Sequence, residues 1–528
     1  LKVHITKHQK YLTNTIKMKK LVILSIFSTF LLIGCKSSQS ISETKQAGDV
    51  TFKFVQVNDV YEIAPLSGGQ YGGMARVAHV RDSISKVNPN TYLFMAGDFL
   101  NPSLLGTVKV DGERLQGKQM IEVMNAMNFD LVTFGNHEFD ISEDALQKRL
   151  NESTFPWTSA NVSHVTKAGV APFKLQRDIG NIPVKDTHII TVVDESGARI
   201  KVGFFSVTLP SNPQDFVKYG DVFAEAERAY KSLENKVDVI IGLTHVTIEE
   251  DVELAKRLPK LQLIMGGHEH NNMLIPAGNG VVAKADANAK TVYIHTLTFN
   301  TQTKKLSVDS KLFPIDDKIA SEPKVAAIVT RWNNVLERKI KEVISDPQEV
   351  LMVAKPPLDG TDSASRGIQT NLGDIITEAM ANSFNEKVDG ALVNGGSIRI
   401  DDMLDGEVTS IDIFRVLPFG GNVLRVEMTG SLLNEVLNYG KSKGGTGAYL
   451  QRYNIKESDI AGWMIGGKAL KINQNYTIAI SDFLMKGYDI PFLTPENKGV
   501  IKVHDPLPSE PASDIRKAII SFLKASKQ

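Results

Sequence analysis

Five apolar runs, each ending in a residue able to hold a metal ion, constrain this chain more than any other feature. Run 52–57 ends in Asn58-Asp59 and run 92–96 in Gly97-Asp98. Run 131–134 ends in Gly135-Asn136-His137-Glu138. Run 237–243 ends in Thr244-His245, and run 261–265 in Gly266-Gly267-His268-Glu269-His270. Each run is nearly continuous in apolar residues, which predicts a strand buried on both faces. In open α/β sheets, ligands bind just beyond the C-terminal ends of the strands. The pattern therefore predicts that these polar residues meet at a single sheet edge. Glycine before the polar residue lets the backbone turn sharply there.

A lone Asp after a strand is usually a cap or turn former. Five such endings, offering carboxylate, amide oxygen and imidazole, make a donor set that suits Zn, Mn or Fe more than Ca. His268 and His270, two residues apart, would project the same way from an extended segment, as would Asp59 and Tyr61. Two cations about 3.5–4 Å apart, bridged by a carboxylate and a hydroxide, generate a nucleophile and neutralise phosphoryl charge. Asp98 is the candidate bridge. His137 has no need to bind metal, since Asn136 beside it can, and is free to stabilise an oxygen of the reacting group. Asp140, three residues on, is placed to orient it.

Length and charge bound the rest. The 528 residues suffice for two or three domains. Lys plus Arg and Asp plus Glu are both 60, so the basic excess of a nucleic-acid binder is missing. From residue 50 onward apolar runs alternate with helix-like patterns at 73–87, 114–127, 222–236 and 249–258, an α/β signature. An amphipathic stretch at 324–344 reads either as a helix bridging two domains or as a peripheral helix of the first. A second α/β region follows, with a helix near 371–384 and strands near Ala391 and Leu424. Its Arg366-Gly367 and Gly395-Gly396-Ser397-Ile398-Arg399 segments set arginines beside glycine turns, and a guanidinium fork matches phosphate oxygens. Gly462 to Lys468 approaches a phosphate-binding loop, but Ala469 stands where Ser or Thr is needed.

The single cysteine excludes an intrachain disulfide. Lys17, Lys19 and Lys20 precede an apolar run at 21–33, too short to span a bilayer, and then Gly34-Cys35 and a polar stretch. Leu32-Ile33-Gly34-Cys35 resembles a bacterial lipobox. The expectation is an exported bacterial lipoprotein, periplasmic or attached to the outer membrane. Met18 is read as its start and Cys35 as its lipidated first mature residue.

The ordered endings Asn-Asp, Gly-Asp, Gly-Asn-His-Glu, Thr-His and Gly-His-x-His resemble the calcineurin-like metallophosphoesterases. Within them, the chain is most similar to the bacterial periplasmic 5′-nucleotidases and UDP-sugar hydrolases. The resemblance implies an α/β protein: an N-terminal αββα sandwich and a C-terminal α/β substrate-binding domain. It implies residues 1–45 as signal and tether, 50–320 as catalytic domain, 321–350 as linker helix and 351–528 as substrate domain. It implies two divalent cations (Zn, Mn, Fe or Co). Asp59, Asp98 and His270 would hold one, and Asp98, Asn136, His245 and His268 the other, with His137 and Asp140 catalytic. Phe419 and Phe483 would clamp a base, Asp489 would reach ribose hydroxyls, and Arg366 and Arg399 would read phosphate. The bland alternative makes both phenylalanines core residues.

Three positions depart from the family pattern. Tyr61 stands where His is usual, and neutral phenol is a poor ligand for a divalent metal. Asp362 stands where an Arg is expected, and Gly421 where an Asn would contact the base. The expected activity is removal of phosphate from nucleotides by a metal-bridging hydroxide. A 2′,3′-cyclic phosphodiesterase, a UDP-sugar hydrolase, another ester hydrolase on the same fold, or a lipid-anchored nucleotide-binding protein are the alternatives. Neither nucleic acid nor a protein partner is expected, and the membrane is met only through the anchor.

Overall fold

A computed structural model describes residues 48–211 and 214–526 of the chain. The basic cluster, the apolar run, Cys35 and the tether up to residue 47 lie outside the described residues. Among the described residues, no helix is long and apolar enough to cross a membrane. Val50–Phe299 and the chain from Thr303 onward form one compact unit. A second, small unit includes residues 48–49 and 300–302, where the Thr301 N–H donates to the Gly48 carbonyl at 2.9 Å.

The N-terminal half runs through β1 (Asp49–Val57), α1 (Met74–Val87), β2 (Thr91–Met95), α2 (Lys118–Met127), β3 (Leu131–Thr133) and β4 (Trp157–Thr158). It continues with β5 (Thr187–Val193), β6 (Arg199–Phe205), α3 (Val222–Leu233), β7 (Val239–Thr244), α4 (Ile248–Arg257) and β8 (Leu263–Gly266). Last come β9 (Met273–Ala277), β10 (Gly280–Lys284), β11 (Thr291–Asn300) and β12 (Leu306–Pro314). These strands form two six-stranded sheets, ordered β12-β11-β1-β2-β3-β4 and β5-β6-β7-β8-β10-β9.

The ligand-bearing runs are thus split: β1, β2 and β3 lie parallel in one sheet, β7 and β8 parallel in the other. The expectation of a single sheet edge is corrected on this point. An apolar run shows that both faces of a strand are covered, but a second sheet covers a face as well as a helix does. Alternation along each strand assigns its residues. Phe52 and Phe54 of β1 join Phe94 of β2 and Met265 of β8 between the sheets. Val55 and Val57 face the other way, into a core shared with Met74 and Val77 of α1 and Met124 of α2. Phe54 and Phe94 meet Phe204 of β6 with ring centroids 5.7 and 5.0 Å apart. Ala226 and Leu233 of α3 and Leu254 of α4 cover the far side of the second sheet. The layers therefore run α/β/β/α.

Helix starts follow local chemistry. The helix expected from Arg114 begins only at Lys118, because Gly117 before it is left-handed (φ 87°) and Glu113–Arg114 pairs with Lys109–Val110 in a small hairpin. At α4, Thr247 and Glu250 form a reciprocal capping box.

The stretch expected at 324–344 forms α5 (Pro323–Lys341). It lies on the N-terminal half: Val325, Val329 and Trp332 are buried with residues of α1 and α2, and Trp332 Nε1 donates to Glu122 at 3.0 Å. The C-terminal half comprises β13 (Val350–Asp359), α6 (Asn371–Ala381), β14 (Gly390–Asn394), β15 (Met403–Thr409), β16 (Val423–Thr429) and α7 (Gly430–Ser442). β17 (Leu450–Tyr453), β18 (Asn475–Ser481), β19 (Val500–His504) and α8 (Ile515–Ala525) complete it. Its five-stranded sheet, β17-β14-β18-β16-β19, has α7 packed on one face and α6 with α8 on the other. Gly462–Ile465 is a strand of a separate three-stranded sheet, so this segment forms no phosphate-binding loop.

Candidate metal centre and active site

The C-terminal ends of β1, β2, β3, β7 and β8 converge on one buried group. Asp59, Asp98 and His245 bring one ligand atom each within 4.8 Å of one another, and all three are buried. Glycine makes the approach possible. A Cβ on Gly135 would sit 2.0 Å from Oδ1 of Asp98, and one on Gly97 would sit 2.6 Å from Nδ1 of His245.

Tautomers are set by the backbone. His245 Nδ1 lies 2.7 Å from the Ala96 carbonyl, so Nδ1 carries the proton and Nε2 turns to the cluster. That Nε2 is 3.1 Å from Asp98 Oδ2, 3.2 Å from Asn136 Oδ1 and 4.0 Å from Asp59 Oδ1. His270 Nδ1 is likewise 2.5 Å from the Asp401 carbonyl, which leaves its Nε2 3.5 Å from Asp59 Oδ1. Tyr61 joins the group, its hydroxyl 3.1 Å from His270 Nε2 and 3.4 Å from Asp98 Oδ2. His268 is left-handed (φ 88°) rather than extended, yet it lines the same cavity as His270. Its ring stands 5.5 Å from that of His245, and its N–H donates to Asp59 Oδ2 at 3.0 Å.

The donor set fits divalent cations. Asp59 is fully buried, and its Oδ1 receives no hydrogen bond. Leaving a buried carboxylate oxygen unsatisfied is costly, and a cation satisfies it. Burial pushes the Asp59 carboxyl up, but His245 and His270 outweigh it and hold the pKa at about 2. Burial pushes His245 down, but Asp98 and then Asp59 raise it to about 9. The ring thus carries a proton in the metal-free protein, which metal binding would displace. His268, lowered by burial and by His245, stays neutral.

Beside this group, His137 Nδ1 contacts Asp140 Oδ2 at 2.7 Å. The same oxygen accepts from Asn101 Nδ2 at 3.2 Å and from Arg399 of the C-terminal half at 3.1 Å. Burial lowers the His137 pKa, but Asp98 and then Asp140 raise it to about 9. Asp362 and Asp401, both from the C-terminal half, bring carboxylate oxygens within 4.8 Å of the His137 ring and of each other. Arg366 pairs with Asp362, so both arginines expected to face phosphate instead hold carboxylates here.

Two supporting groups carried no assigned role in the sequence. Glu138 accepts the N–H groups of Asp98, Phe99, Leu100 and Gly135 at 2.6–3.1 Å, tying the ends of β2 and β3 together. Its place in the Gly-Asn-His-Glu motif was the available signal. Lys284 is fully buried, 3.0 Å from Asp251 and paired with Glu269, which itself accepts the Ile248 N–H at 2.7 Å. This triad braces the loop carrying His268 and His270. A lysine in an apolar run was its only sequence signal.

The centre opens into a cavity of about 950 Å³ lined from both halves, within the roughly 300–1,000 Å³ of small-molecule sites. Phe419 and Phe483 also line it and are 58% and 37% exposed, which removes the reading that they are core residues. Asp489 also lines it, held by Asn394 Nδ2 at 2.7 Å.

Residues 52–272 match the calcineurin-like phosphoesterase family, and residues 350–494 match the 5′-nucleotidase C-terminal domain. A trifunctional nucleotide phosphoesterase of Bacillus subtilis is 27% identical over 466 residues; the match covers 78% of this chain but only 31% of that longer protein. A 5′-nucleotidase of Vibrio cholerae is 24% identical over 527 residues, 89% of this chain and 91% of its own. The 5′-nucleotidase precursor of Thermus thermophilus has a similar fold, with a TM-score of 0.66 at 21% identity over 90% of this chain and 97% of that one. With both halves matched in order along the chain, the protein belongs to the two-domain calcineurin-like metallophosphoesterases of the 5′-nucleotidase/UDP-sugar hydrolase family and is a hydrolase of that family.

Proposed function

We propose that this hydrolase removes phosphate from nucleotides in the manner of a 5′-nucleotidase, with two divalent cations drawn from Zn, Mn, Fe or Co. Asp59, Asp98 and His270 would hold one, and Asp98, Asn136, His245 and His268 the other. When bound, such cations supply a nucleophile from water at neutral pH and neutralise phosphoryl charge. His137 donates a hydrogen bond from Nε2 to a phosphoryl or leaving oxygen, because Asp140 engages Nδ1, and Asp98 and then Asp140 keep the ring charged at neutral pH. Phe419 and Phe483 stack the base, Asp489 accepts from ribose, and Arg366 and Arg399 turn from their carboxylate partners to the phosphate.

One observation carries this reading: a buried carboxylate–imidazole group opens into a cavity that two exposed phenylalanines also line. The test is a phosphate-release screen over nucleoside mono-, di- and triphosphates, cyclic nucleotides and UDP-sugars with added Mn, Zn or Co. Asp98→Asn serves as the blank. Nucleoside monophosphates should release phosphate, and the variant should release none. Turnover confined to cyclic nucleotides or UDP-sugars would replace the 5′-nucleotidase assignment with one of those two.

We also propose that the chain is an exported lipoprotein anchored through Cys35, on the lipobox-like segment Leu32-Ile33-Gly34-Cys35. Cys35→Ser should move the protein from the membrane to the soluble fraction of its host. An unchanged distribution would reject the anchor.

A further inference from the structure

Asp401 lies in the loop between β14 and β15 of the C-terminal half, yet its carboxylate reaches the metal centre of the N-terminal half. Its Oδ1 accepts the Asp362 N–H at 2.7 Å. Its Oδ2 faces Nε2 of His270 at 3.2 Å, and its carbonyl takes the Nδ1–H of the same ring. With Nδ1 engaged, Nε2 is the nitrogen that His270 can offer to a cation. Around that nitrogen stand Asp401 Oδ2 at 3.2 Å, the Tyr61 hydroxyl at 3.1 Å and Asp59 Oδ1 at 3.5 Å. The Asp59 oxygen is buried and receives no hydrogen bond. His270 Nε2 thus has the Asp401 and Asp59 carboxylates and one neutral phenol about it.

Tyr61 is the weak member of this group, because neutral phenol is a poor donor to a divalent metal. The Asp401 carboxylate, 3.2 Å from His270 Nε2, is a harder and better donor for such a metal. We propose that Asp401 is a ligand of the cation held by Asp59 and His270, so that the C-terminal half completes a metal site of the N-terminal half. This rests on the metal-dependent reading above. The Asp362 amide already fixes the carboxylate, so presenting Oδ2 requires no refolding of the loop. The loop is docked independently by Asp402, whose Oδ2 lies 2.5 Å from Lys290 Nζ, and by Arg399 on Asp140. A cation at this site would therefore draw its ligands from both halves.

The test uses metal-stripped full-length protein titrated with Mn²⁺. Bound ions are counted by equilibrium dialysis, and hydrogen exchange is followed over residues 399–404. Asp401→Asn is compared with Asp405→Asn, an exposed position on β15 with the same change of charge, and with Asp98→Asn. The proposal expects Asp401→Asn to weaken one class of Mn²⁺ site by about tenfold or more and to leave the other unchanged. Mn²⁺ should protect residues 399–404 in the wild type and in Asp405→Asn but not in Asp401→Asn. Asp401→Ser carries the same expectation should the Asn variant not fold. Wild-type Mn²⁺ affinities in Asp401→Asn overturn the proposal, even with altered loop exchange, since Asp401 would then only latch His270. In that case the metal loss in Asp98→Asn leaves the hydrolase reading standing. A wild type that binds no Mn²⁺ overturns both.

Discussion

Neighbouring charges move several buried ionisable side chains of the centre away from their ordinary pKa values. His245 and His137 rise from 6.5 to about 9, and Asp59 falls from 3.8 to about 2. A histidine whose folded pKa is raised stabilises the fold fully below its unfolded pKa and loses that contribution as pH rises through the folded one. A carboxylate whose folded pKa is depressed stabilises above its unfolded value and loses it as pH falls through about 2. Metal-stripped protein should therefore lose stability between about pH 6.5 and 9. Metal binding requires neutral imidazoles, so protons compete with it less as pH rises. The gap in Tm between Mn-loaded and EDTA-treated protein should widen from about pH 6 to about pH 9. A gap that stays constant would mean that His245 does not face the cation.

At the scale of the element, the centre depends on side chains that tie strand ends to one another. Glu138 collects four backbone N–H groups from two strand endings, which fixes where Asp98 and Asn136 point. Lys284, on β10, does the equivalent for the second sheet by holding Asp251 at the start of α4 and Glu269 in the histidine loop. Removing one partner of a buried ion pair leaves uncompensated charge at a cost of about 3–5 kcal/mol. Lys284→Met should therefore lower the free energy of unfolding by that amount, read as a lower urea midpoint, and weaken metal binding through His268 and His270. A midpoint within error of wild type would show that the triad is dispensable.

For the whole molecule, the cavity belongs to neither half alone. Residues of the metal centre line it together with Phe419, Phe483 and Asp489 of the C-terminal half. Base–aromatic stacking is worth about 1–3 kcal/mol per base. Phe419→Ala and Phe483→Ala should each raise KM for nucleoside monophosphates about tenfold, equivalent to about 1.4 kcal/mol. Hydrolysis of ribose 5-phosphate, which has no base to stack, should stay at the wild-type rate. Equal losses on both substrates would assign these rings to structure instead.

What the sequence determined by itself was local: apolar runs that must be buried, glycines that let the chain turn, and the donor type at each strand end. Those features follow from short-range chemistry, and they sufficed to name Asp59, Asp98, Asn136, His245 and His270 as neighbours. Tertiary structure alone decided that two sheets share the site, since an apolar run does not record what covers it. It also decided the exposure of Phe419 and Phe483 and the reach of Asp401 and Arg399 into the other half. Asp401 meets His270 across 131 positions and Arg399 meets Asp140 across 259. No local pattern encodes such pairs, because they exist only once the two halves have closed on each other.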